Sequence, residues 1–312
     1  MEHIQEIAPD GDVILVVGSD KFPKIKLRVS SVLLANTSPV FKTMFGPHFR
    51  EGRQLRNSAN HSPPEVPLPD DEWLPMTLLC KMAHLRCEER EPVCGPRELH
   101  SLAKLIDKYC CAAPLRLQSS ALLLTVLHRG DGYKIKDEDL WNLSSAAYLM
   151  DCSQAFKVAT SKLLLNTQDV FQLRTIDHLP ANTVGAICEK RAAAWHIFCG
   201  GLPELGATAL DHSCSNHAQG FTDRLAEAFK LVYWPPIFGS HTLRDLLTMT
   251  RALSGTSRCN GNCEHVQSPV DNAAFCKVAK QVEDICRGLC LACAKAGKYL
   301  MGAACKEHKW NM

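Results

Sequence analysis

Apolar and polar positions change rhythm several times along the chain, and each change predicts an element. Residues 11–18 read "GDVILVVG", with an unbroken apolar run over 13–17 closed by glycine, which predicts a strand. A lysine-rich turn and a proline lead into "KIKLRV", where charged and apolar side chains alternate as on a half-buried strand. A dinucleotide-binding turn would place further glycines and a helix start directly after the first run. The order found here predicts a hairpin instead. "VSSVLLANTSPVFKTMF" then switches to helical spacing with a break at Ser38-Pro39, predicting two short helices. The polar stretch "REGRQLRNSANHSPP" predicts a loop of about a dozen residues, and Glu65–Leu68 a third short strand.

Beyond this point helical periodicity dominates. Helices are predicted over residues 71–86, 95–109 and 114–129. The pattern over 137–166 is helical throughout, with Asp137, Glu138 and Asp139 in the first turn, where the helix dipole favours acids. A further helix fits "LPANTVGAICEKRAAAWHIF", and the glycines and proline of residues 200–203 mark a boundary. Past it lie a "YWPP" turn and a long helical pattern over 273–294, with no internal repeat or low-complexity tract anywhere.

Composition narrows the function classes. The chain has 312 residues, 46% hydrophobic and 22% charged, as in globular proteins with buried cores. Thirty-five basic residues against 33 acidic give a formal charge of +2, too small a field to draw the chain onto nucleic acid or membrane. "MEHIQEIAPDG" lacks the basic start and apolar run of a secretory signal, and no segment approaches the roughly 18 apolar residues that span a bilayer. The expected location is the cytoplasm or nucleus. In such a reducing compartment the 16 cysteines call for metal ligation or plain burial rather than disulfides.

The pieces "GDVILVVG", "LRVSSVLLANTSPVFKTMF", "EVPLPDD" and "LAKLIDKYC" together resemble the BTB/POZ domain. "SPVFKTMF" carries most of the likeness, with Ser38-Pro39 opening a helix whose buried face is supplied by Val40, Phe41, Met44 and Phe45. "GPHFREG" over residues 46–52 sharpens it toward the fungal type. The resemblance implies an α+β fold: a small mixed sheet with helices, then an all-helical region and a mostly helical tail rich in Cys and His. It implies a flexible leader over 1–11, a BTB/POZ-like domain over 12–130, a helical extension over 131–200 and a tail over 201–312. Where many members carry histidine and a basic residue facing the aspartate that matches Asp12, this chain has Ser30 and Ser31. Asp12 therefore either forms part of a protein-binding pocket without its charged partner or serves the strand start alone. Phe49-Arg50-Glu51 is similar to the triplet that contacts a cullin in members serving ubiquitin ligases. Phe49 and Glu51 are the candidate anchors, the alternative being that Phe49 folds back on the helix it follows.

The tail offers four short pairs: Cys214 with His217, Cys259 with Cys263, Cys290 with Cys293, and Cys305 with His308. Zinc takes four thiolate or imidazole ligands, and pairs spaced by two to four residues let one turn supply two of them. A site closed in this way braces a fold and leaves no position for a reacting water. His212 and His265 are alternates within the same turns. Against zinc, Phe275, Val278, Ala279, Val282, Ile285, Cys286, Leu289 and Cys293 recur at core spacing, where cysteine packs as a small hydrophobe.

No phosphate loop, zinc-protease helix pair or nucleophile elbow appears, so no enzymatic activity is expected. Finger spacing is missing from the tail, and residues 201–312 hold 12 Lys and Arg against 10 Asp and Glu, a balance of +2. Nucleic-acid reading needs a denser basic stripe. The expectation is a protein-binding adaptor or scaffold that forms homo- or hetero-oligomers through its head and serves a cullin. A transcription or chromatin regulator with a zinc-braced tail is the alternative.

Overall fold

The computed structural model describes residues 4–18, 24–57, 62–87, 95–128, 135–167, 178–210, 242–254 and 272–297. The architecture is α+β, mostly helical, with one small sheet. The chain divides into two units, Met1–Ala159 and Thr160–Met312, so the helical stretch expected over 131–200 is shared between them.

In the first unit, strands β1 (Ile4–Glu6), β2 (Val13–Val17), β3 (Ile25–Val29) and β4 (Glu65–Leu68) form a sheet of order β1-β3-β2-β4. The predicted hairpin is present: β2 and β3 are antiparallel, with Leu15 opposite Leu27. Val13, Leu15 and Val17 are fully buried, while on β3 the buried Leu27 and Val29 alternate with half-buried Lys26 and Arg28. β4 runs parallel to β2 as an edge strand, and Pro67 stands within it. The residues expected as a flexible leader are tied down from Ile4 onward. β1 pairs parallel with β3, and the amides of Ile7 and Ala8 both donate to the Arg28 carbonyl, at 3.0 and 3.1 Å. β3 would otherwise expose a row of unpaired backbone groups, and a three-residue strand suffices to cover them.

Between β3 and β4 lie α1 (Ser31–Thr37), α2 (Pro39–Met44) and α3 (Arg50–Asn57). Ser38 ends α1 and begins α2: its hydroxyl accepts from the Phe41 amide at 3.1 Å, with Pro39 in the first helical position. Phe41 is fully buried, whereas Val40, Met44 and Phe45 are only half-buried, so the apolar face of α2 is narrower than its sequence predicts. The expected loop over residues 50–64 begins instead as α3. A side chain at Gly52 would come within 2.0 Å of the Gly46 carbonyl and 2.4 Å of that of Phe45, so glycine lets α3 dock on the end of α2.

Helices α4 (Trp73–Ala83), α5 (Pro96–Lys108), α6 (Ala112–Leu127) and α7 (Asp137–Leu149) complete this unit, with α5 packed between α4 and α7. Met76, Leu79, Met82, Leu99, Leu102 and Ile106 are fully buried there. The single helix predicted over 137–166 breaks at Asp151, and α8 (Ser153–Asn166) follows. Asp151 has φ 56° and the Cys152 amide donates to the Ala147 carbonyl at 3.0 Å. Leu85 (φ 55°) after α4 and Cys110 (φ 54°) after α5 close their helices in the same way, with bonds of 2.9 Å from Arg86 to Lys81 and 2.8 Å from Cys111 to Ile106. These left-handed closures ordinarily use glycine, and here a leucine, a cysteine and an aspartate adopt them.

The second unit is built on α9 (Ala181–Leu210), against which α11 (Asn272–Ile285) packs, with α10 (Leu243–Ser254) beside α11. α9 runs straight through residues 200–203, where a boundary was expected. Gly201 is there for close approach: a side chain on it would lie 2.6 Å from a Val278 methyl. The long helix predicted over 273–294 is two, since α11 ends at Ile285 and α12 (Leu291–Lys295) begins beyond Gly288 at φ 87°. Among the described residues no helix is long and apolar enough to cross a membrane.

One buried group gathers the first unit. The Asp71 carboxylate, in the turn between β4 and α4, accepts from the Tyr109 hydroxyl and from Lys108 Nζ, each at 2.6 Å. The Tyr109 ring stacks on Phe41 with centroids 4.4 Å apart, and its carbonyl accepts from Ser38 Oγ at 2.6 Å. Burial and the Asp71 partner push the Tyr109 hydroxyl well above its usual range, so it remains a donor. The two bonds on Asp71 are equally short but differ in worth, because Tyr109 is buried whereas the Lys108 side chain is 48% exposed. Tyr109→Phe is expected to cost about 1.5–3 kcal/mol, as for a buried bond to a charged group, and Lys108→Met no more than about 1 kcal/mol. Urea unfolding of the two variants measures the difference.

Candidate functional site

Asp12 is engaged at the start of α1. Asp12 lies just before β2, and its carboxylate accepts from the Ser31 amide at 2.7 Å and from Ser31 Oγ at 2.6 Å. An acid so placed satisfies orphan amides of the first helical turn and complements the helix dipole. Ser31 thereby fills the position where the resemblance puts a basic partner. Next to it, the Ser30 amide donates to His84 Nε2 at 2.9 Å, and His84 Nδ1 donates to the Cys80 carbonyl at 2.7 Å. Sequence reasoning did not single out His84, because its partner Ser30 is 54 residues away.

This arrangement needs a neutral imidazole, since Nε2 must accept. Burial lowers the His84 pKa, the bond to the Cys80 carbonyl opposes that shift, and Arg86 adds to it. The unfolded chain therefore binds the proton more readily than the folded one as pH falls below the ordinary histidine value near 6.5. His84 stabilises fully above that value, and its contribution is lost as pH descends toward the lowered folded value. Wild type should lose melting temperature on acidification from about pH 7.5 to about pH 5.5. His84→Gln, less stable at the upper pH, should lose distinctly less across the same interval.

Phe49 and Glu51 sit where α2 hands over to α3. Phe49 is 47% exposed, and its carbonyl accepts from the Arg53 amide at 3.1 Å, which ties it to the start of α3. Glu51 lies half-buried in that first turn. The backbone contact at Gly52 fixes the angle at which both are held. An exposed aromatic beside a carboxylate is the kind of side-chain pair from which interface anchors are built.

Of the metal candidates, Cys214, His217, Cys259, Cys263, Cys305 and His308 lie outside the described residues, as do the alternates His212 and His265. Cys290 and Cys293 are described: Cys290 is the half-buried N-cap of α12, and Cys293 is buried one turn later. The turn before them is anchored on α8, with Ser161 Oγ donating to the Cys286 carbonyl at 2.6 Å and Thr160 Oγ1 accepting from the Leu289 amide at 2.8 Å. Two thiols supply half of a tetrahedral set, and among the described residues no cluster of three or more His, Cys, Asp or Glu is placed to hold an ion. Of the stripe that the core spacing predicts, Val278, Ala279, Val282, Cys286, Leu289 and Cys293 are buried and Ile285 is half-buried, while the side chain of Phe275 lies outside what is described.

Elsewhere, a groove of 680 Å³ lies between the β4–α4 turn and the first turn of α5, lined by Asp70, Glu72, Trp73, Arg97 and Glu98 among others. Its acids stand at the amino ends of two helices, where they balance the dipoles, and Arg97 is engaged by both Glu138 oxygens at 3.0 and 3.1 Å. Ser145 Oγ lies 3.2 Å from His100 Nε2, and the pair joins α5 to α7, with Ser145 1% exposed. No protein-family model matches the chain, and no curated protein matches it.

Proposed function

We propose that this chain is a non-catalytic adaptor or scaffold whose amino-terminal strand-and-helix body grips other proteins, with a cullin as the partner at Phe49 and Glu51. The exposure of Phe49 at the head of α3 carries this reading. A half-exposed ring held by backbone contacts loses little freedom on binding, and aromatic anchors of this kind supply a large share of interface energy. The resemblance of residues 12–130 to BTB/POZ domains supports the same conclusion and supplies the identity of the partner. An adaptor works by raising the effective concentration of one protein near another, which requires two gripping surfaces and no reacting groups. In this reading the helical middle and the tail, residues 131–312, hold the client. Affinity purification of the full chain should recover a cullin, and Phe49→Ala should weaken that capture by about tenfold or more with an unchanged melting temperature. Recovery of chromatin proteins in place of a cullin would favour the regulator instead.

The tail's part in this proposal is structural. Zinc held by some of Cys214, His217, Cys259, Cys263, Cys290, Cys293, Cys305 and His308 would brace the client-holding region by closing loops that are costly to order. Elemental analysis of the purified, reduced chain should give about one zinc per molecule, and a value under about 0.2 would leave too little for even one closed site.

A further inference from the structure

Helix α3 carries its positive charge on one side. Arg50, Arg53 and Arg56 are exposed, as is Asn57, and at 3.6 residues per turn these four positions share about a third of the helix circumference. The remainder turns inward: Gly52 is buried against the end of α2, and Glu51, Gln54 and Leu55 are half-buried. Phe49 immediately precedes Arg50, and the Arg53 guanidinium is drawn back toward this end by donating to the His48 carbonyl at 3.3 Å. None of the three arginines enters an ion pair among the described residues.

Local preference does not account for this placement. Like charges three residues apart on one helix face repel, and Arg50, in the first turn, stands at the positive end of the helix dipole. Only Arg56, in the last turn, complements that dipole. Side chains that work against their own helix are expected where a surface serves a partner rather than the fold.

Guanidinium groups take carboxylates and phosphates alike in paired bonds, and the neighbouring residues decide between them. Three cations over about 9 Å are few against a duplex, which presents a charge about every 1.7 Å and is bound in proportion to the number of cations. The partner must also set an apolar group on Phe49 and tolerate the Glu51 carboxylate, which a protein segment can do and a uniform layer of phosphates cannot. We propose that the exposed face of α3 binds an acidic segment of another protein, with carboxylates at alternate positions for Arg50, Arg53 and Arg56 and an apolar side chain for Phe49. Alternate residues of an extended segment lie about 7 Å apart on one side, a spacing that fits within the span of the arginines. The proposal rests on the adaptor reading for the role of Phe49 and deepens it by naming the charge of the segment bound there; the partner's identity does not enter.

Fluorescence anisotropy of the full chain under reducing conditions tests it, with a labelled peptide of about ten residues carrying glutamates at alternate positions and one leucine among them. Wild type should bind this probe, at least roughly threefold more weakly in about 300 mM than in about 50 mM salt, and should not bind the peptide with glutamines in place of the glutamates. Arg50→Glu/Arg53→Glu/Arg56→Glu, with an unchanged circular dichroism spectrum, should lose the acidic peptide by about tenfold or more and gain its lysine counterpart, a reversal that a purely structural role would not produce. Arg56→Gln alone, too mild to disturb the helix, should weaken binding about threefold, and Phe49→Ala should weaken it as well. Lys104→Glu, at an exposed lysine of α5, should behave as wild type. Absence of binding by wild type, equal binding of the glutamine peptide, full binding by Arg56→Gln or Phe49→Ala, failure of the charge swap, or a preference for phosphatidylserine vesicles or single-stranded DNA would each overturn the proposal. Peptide binding with no cullin recovered supports the acidic segment and removes the cullin, and a cullin recovered without peptide binding does the opposite.

Discussion

The hydroxyl of Tyr109 reaching the buried carboxylate of Asp71 is the contact around which the amino-terminal unit is arranged. A sheet of four short strands cannot bury enough apolar surface by itself, and here the helices must be fixed against one end of it. Asp71 follows the last strand, Tyr109 ends α5, and the Tyr109 ring lies flat on Phe41 from α2. Three segments distant in sequence are thus brought to one residue. A carboxylate taken out of water is costly unless its acceptor sites are filled, so the turn after β4 and the end of α5 can take few relative positions other than the one found. The Ser38 bond to the Tyr109 carbonyl extends the same restriction to the junction of α1 and α2.

What was legible in the sequence follows from the range of the interaction responsible. The hairpin, the break at Ser38-Pro39, the strand Glu65–Leu68 and the body of α5 rest on local spacing and local turn chemistry, and each lies where the pattern puts it. β1 is held by carbonyls of β3 some twenty residues on, and three polar-flanked residues give no signal of that. The helix breaks at Leu85, Cys110 and Asp151 use left-handed residues other than glycine, so the usual punctuation is missing. Glycine misled in the opposite direction at Gly201, where it marks close helix packing rather than a linker. α10 could have been found, since Thr242 and Asp245 form a reciprocal cap that is written plainly as Thr-Leu-Arg-Asp. At the candidate site, the triplet at Phe49 was readable but its exposure was not, and Asp12 was readable while its partner Ser31 required the fold.

The cysteines separate into kinds once burial is known. Burial pushes the Cys80 thiol far up, and it raises Cys111 and Cys286 to about 11 each. For Cys286 the nearby Lys190 and Arg191 only partly counter this. Thiols held protonated are packing groups with little nucleophilic or metal-binding character. A count of sixteen therefore overstates the chemistry available: much of the cysteine in the first unit is core, and the question of metal narrows to the short pairs of the tail.

The sheet itself has an outward consequence. One border is a strand of three residues, and the other contains Pro67, which has no amide to offer a neighbouring chain. Both margins are therefore poor templates for strand addition, the route by which many sheets recruit peptides or polymerise. At high concentration such margins do not readily extend into fibres.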